Sequence, residues 1–407
     1  MRINSSDIMK RRVLKEYVFV TLVTILALYA VISFFGARSP ENASQGKESL
    51  RVQCQTEKTP GEKTRCWENL LRQTFQARGS GAAFDVLAEL YASDSNFREE
   101  CHGFTHILGE EAYQRFKNQE PIVASPKTSY CGYGFYHGFM EGLGHDHRDP
   151  KEAREFCIYL NEQLTHQASV WAPCLHGIGH GVIDASDPTA WGNTEAMIRP
   201  GLLLCEKVGA DDDEKDLCAS GVFNSLAIIY GNSKYHLPLD KKDPLAICRT
   251  QRKTYFKAAC YEEMNTLIMT LAGNNFQQAA RFIEQMSEHE YWPRAIDALA
   301  GYAAHFAIEQ NQDKDDKNIR TCHVLELPLR APCIAGFAAG FMEFGTPEKE
   351  YVPALAICNS PFITLDEKSA CFERTLWLSS LHYSPQKQAM ICASVDQAYR
   401  RHCPEKS

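Results

Sequence analysis

The sequence predicts an all-α protein: tandem disulfide-stapled helical hairpins, arranged as an α-solenoid or an α/α toroid, behind one N-terminal transmembrane helix. Three observations carry that expectation. Sixteen cysteines fall into consecutive couples, a period near forty residues recurs, and one uncharged stretch of nineteen residues stands near the N-terminus.

The uncharged stretch, Tyr17 to Phe35 (YVFVTLVTILALYAVISFF), would span about 28 Å as a helix, close to the hydrocarbon thickness of a bilayer. Arg2, Lys10, Arg11, Arg12 and Lys15 precede it, against only Asp7 and Glu16. The positive-inside rule then keeps residues 1–16 in the cytoplasm and sends the remainder across. A cleaved signal peptide is the alternative, but the run exceeds the usual apolar core of about 7–15 residues. The expected organisation is a cytoplasmic N-terminus (1–16), a signal-anchor (17–36), a polar stalk (37–50) and a helical-repeat domain (51–407). That is a single-pass type II membrane protein whose C-terminal domain is periplasmic, lumenal or extracellular. The net charge of −8 comes without any cluster of Lys and Arg, which excludes nucleic acid as a partner.

All sixteen cysteines follow the apolar stretch, and an oxidising compartment makes disulfides the default. The expected pairs are Cys54 with Cys66, Cys101 with Cys131, Cys157 with Cys174, and Cys205 with Cys218. The series continues with Cys248 and Cys260, Cys322 and Cys333, Cys358 and Cys371, and Cys392 and Cys403. The first member of a couple tends to end an apolar run, as in LLLC (202–205) and LAIC (245–248). Asp149-Pro150, Asp243-Pro244, Thr346-Pro347 and Ser384-Pro385 read as caps followed by proline at the first helical turn. The second member opens another apolar run, often with glycine three residues on: Cys131-x-x-Gly134, Cys174-x-x-Gly177, Cys218-x-x-Gly221 and Cys333-x-x-Gly336. Second cysteines at 131, 174, 218 and 260 recur every 42 to 44 residues, the signature of stacked helical hairpins. A unit without cysteines fits between the couples, because ALAGYAAHFAIE (298–309) matches CIAGFAAGFMEF (333–344). Nothing alternates with period two over enough length to indicate a strand. Metal-binding thiolates are the competing reading, but no C-x-x-C repeats.

Eight of fourteen histidines lie between residues 101 and 180. Three occupy one repeat position: His106, His137 and His180 each follow a glycine by three and precede an acid by four (Glu110, Glu141, Asp184). Later units keep the frame with Asn224, Ala304 and Ala339 there, so packing alone does not demand imidazole. His102 with His106, and His176 with His180, stand four apart and would share a helix face. Two such nitrogens with a third imidazole or a carboxylate suit zinc, copper or iron. His102, His106, His137, His176 and His180 are therefore the candidate metal ligands, and His145-Asp146-His147 can add to them. Neighbouring units of an open stack lie roughly 10 Å apart, so one ion joins three of them only if the array curls tightly or closes into an α/α ring with these helices inside; otherwise each unit makes its own contact with an extended ligand along a concave groove.

Three functions fit this pattern. The first is a membrane-anchored extracytoplasmic protein that binds a ligand, a metal ion above all, through its N-terminal histidines. The second is a metal-dependent enzyme in a closed α/α ring, with Glu141 or Asp184 as general base. The third is a protein-interaction scaffold whose histidines form a buried polar ladder. Asp211-Asp212-Asp213-Glu214 reads as a solvated loop. Cys101-His102-Gly103 and the His-Gly pairs at 137–138 and 180–181 resemble short motifs of lanthionine cyclases. Those are zinc-bearing α/α toroids; the likeness covers only these residues, and the cyclases use free cysteines as ligands.

Overall fold

The computed structural model describes residues 54–57, 59–146, 149–164, 170–184, 187–309 and 315–403. The expected cytoplasmic segment 1–16, transmembrane segment 17–36 and stalk 37–50 lie outside these residues, as do His147 and His166. No helix among the described residues is long and apolar enough to cross a membrane. They hold no strand; from Pro60 onward they form one unit built of helices.

The first nine helices are α1 (Pro60–Arg78), α2 (Ser80–Ser93), α3 (Ser95–Glu99), α4 (Cys101–Lys117), α5 (Gly134–His145), α6 (Pro150–Gln163), α7 (Trp171–Asp184), α8 (Thr194–Val208) and α9 (Asp212–Ile229). The next five are α10 (Ala246–Thr250), α11 (Thr254–Glu263), α12 (Asn265–Leu271), α13 (Phe276–Glu284) and α14 (Trp292–Glu309). The last are α15 (Asp315–His323), α16 (Leu327–Phe344), α17 (Tyr351–Cys358), α18 (Leu365–His382) and α19 (Pro385–Ser394).

Consecutive cysteines are joined. Bridges Cys101–Cys131, Cys157–Cys174, Cys205–Cys218, Cys248–Cys260, Cys322–Cys333, Cys358–Cys371 and Cys392–Cys403 have Cα–Cα distances of 5.3–6.0 Å. Cys54 and Cys66 are also disulfide-bonded, and no cysteine is free. So complete an oxidation indicates an oxidising, extracytoplasmic compartment.

The second cysteine of most couples begins or enters a long helix of an inner layer, in which α4, α5, α7, α9, α11, α14, α16 and α18 pack side by side in chain order. Glycine permits this contact to be backbone against backbone. A Cβ on Gly221 would stand 1.8 Å from the carbonyl oxygen of His176, and one on Gly138 would stand 2.0 Å from that of His106. The Cys-x-x-Gly frame is thus a helix-packing frame, and it draws together the helices that carry the histidines.

The last units return to the first. Tyr91 Oη donates to the carbonyl of Phe344 at 2.6 Å, and the Gly132 amide donates to that of Glu343 at 3.0 Å. Tyr130 Oη donates to Glu348 at 2.8 Å, and Tyr133 Oη meets His382 Nε2 at 2.8 Å.

Two cap expectations hold: the Asp149 carboxylate accepts from the Lys151 amide and Ser384 Oγ from that of Lys387. Asp243 and Thr346 do not cap, because their prolines sit in turns before helices that begin at Ala246 and Tyr351. The acidic run 211–214 is not a solvated loop. Asp211 caps α9, and the next three acids form its first turn, where the helix dipole favours negative charge. Glu214 is further held by Arg154 and the Trp171 indole.

Candidate metal centre

Residues one helical turn apart share a face, and three adjacent inner helices each present such a pair: His102 and His106 on α4, His137 and Glu141 on α5, His176 and His180 on α7. Close backbone packing at Gly138 and Gly177 sets these faces beside one another. One ligand nitrogen from each of His102, His106 and His137 lies within 4.8 Å of the other two.

Hydrogen bonding defines which nitrogens are free. His102 Nδ1 lies 2.8 Å from the Cys131 carbonyl oxygen, which can only accept, so its proton sits on Nδ1. His106 Nδ1 faces Glu141 Oε1 at 3.0 Å, which favours the same tautomer. Both Nε2 atoms then carry lone pairs, and they point at each other across 3.1 Å. Two facing lone pairs repel unless a proton or a metal cation joins them. Two nitrogens about 2.05 Å from a tetrahedral ion stand about 3.3 Å apart, close to the separation observed here. The outer partners, one carbonyl and one carboxylate, are the groups that orient metal-bound imidazoles. His137 Nδ1 is buried without a hydrogen-bond partner, and its side chain is 5% exposed. Burial, followed by the neighbouring imidazoles, pushes the pKa of His102 and His137 well below the ordinary imidazole range, leaving the neutral form that a metal requires.

His176 and His180 adjoin this trio without converging on it. The rings of His137 and His180 stack at 4.3 Å with planes 11° apart, and those of His137 and His176 at 5.1 Å and 25°. A ligand lone pair lies in its ring plane, so the closely stacked ring of His180 cannot aim at an ion held by His137, and the ligand nitrogens that lie within 4.8 Å of one another do not include that of His176. The planes of His102 and His106 make angles of 65° and 79° with that of His137, which permits convergence. Glu141 Oε1 also lies 3.6 Å from His180 Nδ1, beyond hydrogen-bonding distance, so of these two imidazoles it orients that of His106. Asp184 is the last residue of α7, and its side chain lies outside what the structure describes. Asp146 accepts from Tyr113 Oη and pairs with Lys117 at 2.7 Å.

Solvent reaches the site. The side chains of His106, Glu141 and His176 retain 20%, 19% and 19% exposure. Beyond His176 a second set of polar groups follows on the inner helices. Glu263 lies 3.9 Å from His176 Nδ1 and accepts from Asn224 at 2.9 Å. Burial, then the Glu262 charge, raises its pKa well above the carboxylate range. Arg294 joins Asp216 at 2.5 Å and also pairs with Glu262, while Arg374 joins Asp297 at 3.2 Å. Sequence reasoning missed this set, although a signal existed. In the Cys-x-x-Gly frame, Cys260 and Cys371 are followed by Glu263 and Arg374 where other units carry glycine.

Comparisons with protein-family models, with curated proteins and with solved structures give no match for this chain.

Proposed function

We propose that the chain is a membrane-anchored, extracytoplasmic metal-binding protein whose ion is held by His102, His106 and His137. One observation carries the reading: the Nε2 atoms of His102 and His106 face each other at 3.1 Å, with the Nδ1 atoms directed at a carbonyl and a carboxylate. An all-imidazole set with no free thiolate in an oxidising compartment suits zinc or copper(II), with iron(II) as the weaker ligand match. The uncharged stretch 17–35, with its basic N-terminal flank, supports the anchor. In the larger frame, contacts between the last and first units support a closed α/α ring over an open solenoid.

The test is elemental analysis of the full chain, purified natively in detergent, and again after incubation with zinc and dialysis. One transition-metal ion per chain is expected, and His106→Ala should lower affinity by more than about a hundredfold, beyond the usual loss for an outer partner. A wild-type chain that retains no ion under either condition refutes the reading.

A further inference from the structure

We infer that the centre has an open fourth position, occupied by an exchangeable water whose O–H donates to Nε2 of His176. This rests on the three-histidine reading above and makes the site a water-activating one rather than a closed structural one.

The tautomer of His176 supplies the first argument. Its Nδ1 lies 2.7 Å from Ser220 Oγ, and the Ser220 hydroxyl gives its own proton to the Leu217 carbonyl at 2.8 Å. With its proton on that carbonyl the serine oxygen accepts from His176, an arrangement that places the imidazole proton on Nδ1. Nε2 keeps its lone pair and can accept from a water.

Ring geometry supplies the second. The His176 ring lies beside that of the third ligand, His137, with centroids 5.1 Å apart, near enough to touch a molecule bound to the ion, while the nitrogens within 4.8 Å of one another are those of His102, His106 and His137. His180 is excluded by its 11° stacking on the same ring. Glu141 is already directed at the Nδ1 atom of His106. Among the described residues, a tetrahedral ion at the trio would have these three protein ligands, which leaves its fourth position to solvent.

Access supplies the third. His176 and His106 keep about a fifth of their side-chain surface exposed, at 19% and 20%, so water and small anions reach this side. Three imidazoles plus one water is the arrangement in which a zinc-bound water ionises near neutral pH. His176 is then a positioning residue, holding one O–H so that an oxygen lone pair faces incoming substrate.

The test uses the full chain loaded with cobalt(II), with azide as the probe. In the wild type, azide should displace the water and change the visible spectrum in a saturable manner. His176→Ala should keep one ion per chain, with affinity within about threefold. Its azide affinity should rise about three- to tenfold, because azide carries no hydrogen and the competing water has lost one hydrogen bond. No spectral response to azide in the wild type means a closed site and overturns the inference. So does a His176→Ala chain that loses the ion, which would make His176 the fourth ligand, or one whose azide affinity is unchanged. Wild-type chains that bind no cobalt refute the metal reading itself, a result separable from these.

Discussion

His137 and His180 lie face to face, ring centroids 4.3 Å apart and planes 11° from parallel. They occupy the same repeat position in successive hairpins, yet stacking separates their roles. His137→Ala should abolish tight zinc binding, whereas His180→Ala should retain one ion per chain. The reading is metal content after dialysis; equal loss in both variants would show that stacking does not divide ligands from neighbours.

Backbone contact between inner helices predicts a steric cost. Gly221→Ala places a methyl group 1.8 Å from the His176 carbonyl oxygen, and neither backbone can yield without shifting a helix. Destabilisation of about 3 kcal/mol is expected, seen as a lower urea midpoint. Gly61→Ala is the control, since nothing lies within 4 Å of its added Cβ.

Each hairpin carries its own covalent clasp. Replacing both Cys205 and Cys218, separated by 13 residues, with alanine should cost about 3 kcal/mol, the loop-closure entropy regained by the unfolded chain. Urea unfolding under non-reducing conditions reads the loss.

A pH effect should originate at a carboxyl outside the histidine trio. Glu350 is 2% exposed, and burial raises its pKa to about 7, although Tyr383 Oη donates to it. Below the unfolded carboxylate pKa of about 4.3 both states are protonated and its contribution is complete. Between that value and 7 the folded state binds more protons than the unfolded chain, so stability falls as pH rises. Glu350→Gln should flatten part of this decline and raise the melting temperature at pH 8 relative to wild type. A parallel pH profile in the variant would assign the decline to other groups.

What could be read beforehand was whatever repeats locally. Partner cysteines are neighbours in the chain, so their pairing follows from order alone, and the glycine three residues on marks a contact made by every unit. Histidine placement was legible for the same reason. The grouping into three and two was not, because ring orientation depends on Cys131, Glu141 and Ser220, which come from other segments. The partners of Arg294 and Arg374 were hidden too, since Asp216, Glu262 and Asp297 occupy no shared repeat position. The 211–214 run misled because a string of acids reads equally as solvated loop or helix start until Asp211 is seen to cap.

The bond from Tyr91 to the Phe344 carbonyl spans 253 positions of sequence, and it limits how such a chain can evolve. An open array grows or shrinks by tandem duplication, because each new copy only extends an edge. Here an added or deleted hairpin would leave the two edges overlapping or apart, stripping Tyr91, Tyr130 and Tyr133 of their partners together. A closed ring would thus fix copy number and confine variation in length to the connections between helices.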